Sequence, residues 1–397
     1  MPSINDILGA RTALDADDIF GAVVAVADKT GRLVFSGADG RRTWNSTEPP
    51  DLDTTYWAYS FTKLLTTIAA LQCVERGQIG LDDAVEDILP ELKDPEVISR
   101  AGTSFALRTA TKKITLRQLL THTSGVGYDA MSPLLTQWRE SRGESSMAMC
   151  GDVVKAYSMP LLFEPGESWA YGGGLDWVGQ LIERINGQKL SEFMERGIFA
   201  RLGMKTTTFN VMGKPDAKLK LMDMSVRTTE GKLAPMDHMY PENAEMDSGG
   251  MGIVTSVGDF ICVVADLIKD EPRLLQAKTR DQMFKPQFDP CGKQAEAMMA
   301  MGFLHENLTG GEKSLGAFSF GLGGLITVID TPNLPAGTLS WGGMPNLAWL
   351  ANKELGIAAC YGCQMMPPAD ANSASMLAEF IKEAFKYGRD SSRPLPS

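Results

Sequence analysis

Hydrophobic and polar positions follow different patterns in the ends and in the middle of this chain. Residues 20–36 contain two β-rich runs joined by the turn Asp-Lys-Thr-Gly, which predicts a hairpin. Near the C-terminus, short apolar runs bounded by turn residues predict three more strands, at residues 337–343, 346–352 and 355–363. Apolar residues at helical spacing in residues 371–388 predict a closing amphipathic helix.

The middle of the chain has a helical pattern. Apolar residues at three- and four-residue spacing predict helices at residues 60–76, 114–124, 147–162, 175–187 and 189–203. The Gly-rich segment 244–260 is predicted to be a loop that returns the chain to the strands. Strands at both ends with helices between them predict an α/β fold, in which the terminal strands form one sheet and a mostly helical region is inserted.

This pattern predicts one unit over residues 1–397, built from two subdomains. The α/β subdomain is expected at about residues 5–80 plus 250–397, and the mainly helical subdomain at about residues 81–249. The sequence contains no internal repeat or long linker. Two separate domains are the alternative, and the distribution of the predicted strands disfavours it.

Composition and charge narrow the classes of function. The 397 residues carry a formal net charge of −11 without a basic run, which argues against nucleic acid or an anionic membrane as partner. The N-terminus lacks the pattern of a signal peptide, and no uncharged apolar run reaches about 18 residues. We therefore expect a cytoplasmic protein that acts on a small molecule; its oligomeric state is left open.

Cysteine and histidine do not indicate a metal or a redox centre. The six cysteines lie in apolar surroundings, as expected for reduced thiols, and Cys360-Tyr-Gly-Cys363 has no second pair beside it. The three histidines, at positions 122, 238 and 305, are too far apart for a metal motif. We expect no metal and no cofactor.

One short motif carries candidate chemistry: Ser60-Phe-Thr-Lys63, the only S-x-x-K among the 25 serines. Residues i and i+3 share a helix face, so a lysine here can reach the serine hydroxyl, and first-turn amides favour developing negative charge. Lysine acts as a base at neutral pH only where its neutral form is stabilised, and the apolar residues after Lys63 are compatible with burial. Spacing alone favours the ordinary alternative, in which Ser60 caps a helix and Lys63 lies in solvent.

The wider sequence resembles a known family. SFTKLLTTIAALQCVERGQIGLDD, ITLRQLLTHTSGVGY, EPGESWAYGGGLDWVGQLIE and SWGGMPN occur in the order found in serine hydrolases of the class C β-lactamase fold, which include penicillin-binding proteins and related esterases. The resemblance covers nearly the whole chain and implies the β-lactamase-like fold. Within the family, these phrases resemble the fungal lovastatin hydrolase and the lovastatin-pathway acyltransferase.

The resemblance implies roles for specific residues. Ser60 would be the acylated nucleophile, with Lys63 and Tyr171 as its proton partners. The backbone N–H groups of Ser60 and Met344 would form the oxyanion hole. His122, in the LLTHTSG phrase, would be a structural hydrogen-bonding residue.

Two departures from the β-lactamase pattern bear on the substrate. Trp341-Gly342-Gly343 stands where β-lactamases have Lys-Thr-Gly, and Gly173 stands where they have asparagine. The missing cation favours a neutral, apolar ester over a β-lactam. The predicted substrate-binding residues are those of the two departures and nearby aromatic side chains: Tyr128, Phe163, Gly173, Trp341, Gly342, Gly343 and Trp349.

Together these features imply a serine carboxylesterase that works through an acyl-enzyme. The preferred substrate, from the resemblance alone, is the 2-methylbutyryl side-chain ester of lovastatin, whose hydrolysis gives monacolin J. An alternative is an acyltransferase that moves a short acyl group from a thioester to a polyketide alcohol. A third possibility, an inactive binding or scaffold protein on the same fold, is disfavoured by the intact Ser60, Lys63 and Tyr171.

Overall fold

The structure is a computed structural model that describes residues 4–13, 15–102, 104–302 and 308–389. His305 lies outside these ranges. The strands within them are β1 Gly21–Asp28, β2 Leu33–Gly40, β3 Thr55–Trp57, β4 Glu96–Ala101, β5 Ser104–Thr109, β6 Met224–Arg227, β7 Leu233–Met236, β8 Val254–Ser256, β9 Phe318–Phe320, β10 Leu325–Thr327, β11 Thr338–Gly343, β12 Leu347–Asn352, β13 Ile357–Cys363 and β14 Met365–Met366.

The α-helices of the same ranges are α1 Ile4–Arg11, α2 Thr62–Glu75, α3 Leu116–Leu120, α4 Pro133–Glu140, α5 Val153–Tyr157, α6 Gly174–Asn186, α7 Leu190–Met194, α8 Ala200–Leu202, α9 Pro215–Leu219, α10 Val257–Asp266, α11 Ala277–Met283, α12 Lys293–Met299 and α13 Ala371–Arg389. Single 3₁₀ turns occur at Tyr59–Phe61, Pro90–Leu92 and Asp129–Met131, and a π-helical segment occurs at Glu195–Phe199.

The main sheet is built from both ends of the chain, as the strand pattern predicts. Its order is β2-β1-β13-β12-β11-β10-β9, and every neighbouring pair is antiparallel. Strand β1 from the N-terminus therefore pairs directly with β13 from the C-terminus. Strands β1, β12 and β13 are buried almost throughout, because helices cover both faces of the sheet.

Adjacent residues of β13 show which helix covers which face. Tyr361 packs against Phe380 of α13, with ring centroids 6.2 Å apart. At Gly362 an added Cβ would lie 2.6 Å from Val257 of α10. Successive strand residues point to opposite faces, so α13 and α10 lie on opposite sides of the sheet. The same alternation separates Cys360 from Cys363, three positions apart on β13, so this C-x-x-C is not a facing pair of thiols.

Several predicted elements differ in extent from the observed ones. The predicted helix at 147–162 shrinks to α5, because Gly151 has φ +79° and Asp152 caps the helix by accepting the Lys155 N–H. The predicted loop 244–260 contains β8 and the start of α10, where Ser256 accepts the Asp259 N–H. The hydroxyl cap explains why a Gly-rich segment turns into a helix at that residue.

The described chain between β2 and β9 holds α2 to α12 and strands of three small sheets, one of which pairs β3 with β8. Strands β4 and β5 pair with each other, and β6 pairs with β7 and with β14. The division into two subdomains at the stated boundaries stays a prediction. None of the helices in the described ranges combines the length and the apolar character that a membrane span requires.

Candidate active site

Ser60 lies on a sharp bend between a strand and a helix. Strand β3 ends at Trp57, Tyr59 adopts φ +43°, and the 3₁₀ turn that contains Ser60 leads into α2. A left-handed conformation is costly for an aromatic residue, and tertiary contacts must hold it. Tyr59 is buried, and its hydroxyl accepts the Met239 N–H at 3.2 Å. The predicted helix thus begins two residues after Ser60, which itself is only half-buried.

Lys63 lies inside the protein. Its side chain is 2% exposed, at the start of a helix whose residues are buried from Thr62 to Cys73. Its Nζ donates to Ser60 Oγ at 3.2 Å, Tyr128 Oη at 3.1 Å and the Gly250 carbonyl at 2.8 Å. These three acceptors match the three donors of an ammonium group. The alternative interpretation, with Lys63 in solvent, does not describe this side chain.

Tyr171 reaches Ser60 from the other side of the site. Its hydroxyl donates to Ser60 Oγ at 2.6 Å and accepts the Trp341 Nε1–H at 3.3 Å. The loop that carries it is held by the Ala170 N–H, which donates to the His122 carbonyl at 3.0 Å. At Gly172 an added Cβ would lie 2.1 Å from the Val126 carbonyl oxygen, so only glycine fits there.

The end of strand β11 passes beside the bend that carries Ser60. At Gly343 an added Cβ would lie 2.7 Å from the Ala58 carbonyl oxygen, which shows how closely the two backbones approach. Met344 follows at once and borders the same cavity as Ser60. The oxyanion hole that we predict from the amides of Ser60 and Met344 involves these two neighbouring segments.

A cavity of about 440 Å³ opens onto Ser60. Apart from the serine and three tyrosines, its described wall is apolar; it consists of Tyr59, Ser60, Tyr128, Ala130, Met131, Ala148, Met149, Tyr171, Met251, Leu308, Trp341, Gly342, Gly343, Met344, Leu347 and Pro368. Four of the predicted substrate-binding residues are among them: Tyr128, Trp341, Gly342 and Gly343.

The other three predicted substrate-binding residues lie outside this wall. Trp349 is 1% exposed and pairs with Trp341 across β11 and β12, where its ring packs over Gly324. Gly173 precedes α6, and an added Cβ there would lie 2.5 Å from the Tyr157 ring. Phe163 is half-buried, and its carbonyl packs on Gly125. Nearness to a motif in the sequence did not place these side chains at the cavity.

The sequence analysis did not identify all the groups that hold Lys63 in place. Tyr128 was assigned to the pocket wall, but its hydroxyl also bridges Lys63 and the Asp176 carboxylate, the latter at 3.4 Å. Asp176 is fully buried, and burial raises its pKa while the charge of Lys63 acts in the opposite direction. The available signal was an aspartate on the apolar face of α6, directly after the Tyr171 loop.

His122 differs from its predicted role. Its two ring nitrogens are buried and make no hydrogen bond to the part of the chain that the structure describes. The ring instead packs against aromatic rings, with centroids 4.7 Å from Tyr171, 5.4 Å from Phe320 and 5.7 Å from Trp169. Burial, together with the nearby charge of Lys63, holds the pKa of His122 well below its ordinary value. Its backbone carbonyl does form a structural hydrogen bond, which it accepts from the Ala170 N–H.

Comparison with known proteins supports a single family. Residues 10–381 match the family model described as Beta-lactamase. The chain is 34% identical over 370 residues to the monacolin J acid methylbutanoyltransferase of Aspergillus terreus, an alignment that covers 90% of this chain and 89% of that protein. It is 32% identical over 391 residues to the lovastatin esterase of Penicillium rubens, with 95% and 96% covered.

A solved structure is similar over the same length. Unliganded simvastatin synthase (LovD) from Aspergillus terreus superimposes with a TM-score of 0.84 at 31% identity, covering 98% of this chain and all of the other. The predicted β-lactamase-like fold and the predicted resemblance to fungal statin enzymes are confirmed. The named activities of these relatives differ, since one is an esterase and two are synthetic enzymes.

Proposed function

From the premise that this chain belongs to the beta-lactamase family, we propose that it is a serine carboxylesterase that works through an acyl-enzyme. The observation that carries the proposal is the position of Ser60 Oγ. It lies 3.2 Å from Lys63 Nζ and 2.6 Å from Tyr171 Oη, at the mouth of an apolar cavity. A nucleophile needs an adjacent proton acceptor, and for Ser60 this acceptor is the Lys63–Tyr171 pair once the pair has released one proton.

Acylation begins when Ser60 Oγ attacks the ester carbonyl. Its proton passes to the Tyr171–Lys63 pair as the new C–O bond forms. The backbone N–H groups of Ser60 and Met344 stabilise the negative charge on the former carbonyl oxygen. The tetrahedral intermediate then expels the alcohol, which takes a proton from Tyr171, and the acyl group remains on Ser60.

Deacylation repeats these steps with water as the nucleophile. The pair accepts a proton from water as the oxygen attacks the acyl carbonyl, and then returns one to Ser60 Oγ as the acid departs. The Trp341 Nε1–H donates to Tyr171 Oη at 3.3 Å and so orients the phenol towards Ser60 for this relay.

The proposed substrate is an ester between a short acyl group and a bulky apolar alcohol. The cavity wall supports this class, since its described members include four methionines, two leucines and Trp341 but no charged side chain. The similarity to lovastatin esterase makes the 2-methylbutyryl ester of lovastatin the preferred example, with monacolin J as the alcohol released.

Acyl transfer is the second candidate. The similarity to monacolin J acid methylbutanoyltransferase, at an identity comparable with that to the esterase, favours it. In this case the acyl-enzyme forms from a thioester, and a polyketide alcohol takes the place of water. The same three side chains serve both reactions, so the outcome depends on how water and a bulky alcohol compete for one cavity.

One experiment separates the two candidates. The enzyme is incubated with lovastatin alone, and separately with a 2-methylbutyryl thioester plus monacolin J, and products are followed by mass spectrometry. Under the proposal, lovastatin alone yields 2-methylbutyric acid and monacolin J. Efficient thioester-dependent acylation of monacolin J with negligible hydrolysis of lovastatin would replace the esterase by the transferase. The Ser60→Ala variant serves as the control in both incubations.

A further inference from the structure

We propose that Asp176 is a positioning residue for the reaction, which acts on Lys63 through Tyr128 and the Gly250 carbonyl. The inference rests on the proposed function, because it concerns the proton partner of Ser60. It starts from one observation: of the three acceptors around Lys63 Nζ, two are held by the same buried carboxylate.

The first link passes through Tyr128. Its hydroxyl donates to Asp176 Oδ2 at 3.4 Å and accepts from Lys63 Nζ at 3.1 Å. A hydroxyl that donates its proton to a carboxylate must turn a lone pair to its other neighbour. Asp176 thereby fixes Tyr128 as an acceptor for Lys63, and the phenol oxygen becomes a better acceptor in a chain of hydrogen bonds.

The second link passes through the segment Ser248–Met251. Asp176 Oδ1 accepts the Gly250 N–H at 3.1 Å and also the Ser248 hydroxyl. The Ser248 hydroxyl oxygen in turn accepts the Met251 N–H at 3.1 Å. This network orients the peptide whose carbonyl accepts from Lys63 Nζ at 2.8 Å.

The fit of this segment depends on the carboxylate beneath it. At Gly250 an added Cβ would lie 2.3 Å from Asp176 Oδ2, and at Gly249 it would lie 2.3 Å from the Leu175 carbonyl oxygen. Both glycines therefore let the segment approach the start of α6 more closely than any other residue allows. Asp176 follows Tyr171 by five residues, so one short stretch supplies a partner of Ser60 and the support of Lys63.

The charges around Asp176 distinguish it from an ordinary buried acid. It is fully buried and lies near three phenols: burial raises the pKa of Tyr128, Tyr157 and Tyr240, and the charge of Asp176 adds to this effect. Lys63 is the cation that acts on its carboxylate. A buried carboxylate is costly without a cation and hydrogen bonds. Here Lys63 supplies the cation, and the hydrogen bonds come from Tyr128, Ser248 and Gly250, the groups that orient Lys63.

The test compares Asp176→Asn with Tyr128→Phe in the full chain. The measured quantity is kcat/KM for p-nitrophenyl butyrate, with active sites counted by exhaustive fluorophosphonate labelling. We expect each variant to lower kcat/KM per active site by about 10- to 100-fold, through kcat with little change in KM, because small displacements of a reacting group are this costly. The double variant is expected to lose little more than either single one, since both act through the same contact.

Asp266→Asn is the matched control. Asp266 is also a buried aspartate, 1% exposed, and its carboxylate holds a loop by accepting the Arg273 and Leu274 N–H groups at 3.0 Å. We expect this variant to lower thermal stability and to leave kcat/KM per active site unchanged.

Three outcomes overturn the inference: wild-type kcat/KM per active site in Asp176→Asn, the same result in Tyr128→Phe, or full additivity of the two losses. If Asp176→Asn does not fold, Tyr128→Phe still decides, because it keeps Asp176 and its other contacts. Failure of the proposed function looks different, since wild-type protein and Ser60→Ala would then hydrolyse the ester equally slowly.

Discussion

The two sides of the cavity at Ser60 are built on opposite principles. On one side, Lys63, Tyr128 and Asp176 are buried polar groups joined by specific hydrogen bonds. On the other, the wall consists largely of methionine, leucine, alanine and glycine. The polar side fixes the positions of individual atoms, whereas the apolar side fixes only the shape of the cavity.

This difference has a physical cause. Proton transfer needs atoms within hydrogen-bonding distance, and a buried polar group left without a partner is costly, so the polar side tolerates few changes. Methionine is flexible and adapts to irregular shapes, so the apolar side tolerates many. Changes on the polar side should therefore affect every substrate alike, whereas changes in the apolar wall should separate one substrate from another.

The largest effect is expected from Ser60→Ala. Removal of the nucleophile should lower kcat for p-nitrophenyl butyrate by on the order of 10⁴-fold or more, because no acyl-enzyme can form. The melting temperature should stay close to that of the wild type, since Ser60 is half-buried and loses one oxygen. Substantial residual turnover would show that another residue is the nucleophile. If well-folded wild-type protein hydrolyses none of several esters, the interpretation as an inactive scaffold protein is favoured instead.

The next largest effects are expected at the two proton partners. Lys63→Ala and Tyr171→Phe should each lower kcat nearly as much as Ser60→Ala, and neither should add much to it in a double variant, because the three groups act as a unit. Mass spectrometry of the intact protein measures acylation directly. Normal formation of the acyl-enzyme in either variant would remove that residue from the relay.

The strands at the two ends of the chain could be predicted closely from the sequence. Strands β1, β2, β11, β12 and β13 lie where short apolar runs and turn residues place them, since buried strands have a strong local signal. The middle was harder, as the short helix α5 shows, because caps and glycines there override apolar spacing. The register that joins β1 to β13 depends on contacts between residues far apart in the chain.

The candidate site was predictable only in part, for a related reason. Ser60, Lys63 and Tyr171 belong to short motifs, which can be recognised in the sequence by their residue types and spacing. Asp176 and Gly250 acquire their roles only when α6 and the glycine segment pack against α2. Phe163 and Trp349 show the reverse, since aromatic character near a motif says nothing about the direction in which the side chain points.

A smaller and more selective effect is expected from Met149→Trp in the apolar wall. The larger side chain should fill part of the cavity and lower kcat/KM for p-nitrophenyl octanoate by about 10- to 200-fold, while the acetate ester is nearly unaffected. Met212→Trp is the matched control, because Met212 is exposed and does not line the cavity. Equal losses for both esters would mean that the substitution disturbs the polar side.

The smallest effect concerns stability and arises at His122, whose buried ring packs against Tyr171. The pKa of this buried ring lies well below 6.5 in the folded protein, whereas the unfolded chain titrates near that value. The unfolded state therefore binds the proton first as the pH falls, and stability should drop below about pH 6.5 with a slope of at most about 1.4 kcal/mol per pH unit. Asp176 acts with the opposite sign, since its raised pKa gives stability that is lost as the pH rises through the folded value.

His122→Asn isolates the histidine contribution from that of Asp176. Asparagine tolerates the φ of +59° at this position, although it leaves a space among the aromatic rings and should lower stability near pH 8. Urea unfolding of both proteins between about pH 5 and pH 8 gives the difference in free energy of unfolding. We expect this difference to shrink as the pH falls, because only the wild type carries the histidine penalty. A constant difference over the whole range would mean that the ring accepts a proton in the folded state as easily as in the unfolded one, and that water reaches the ring between Tyr171, Trp169 and Phe320.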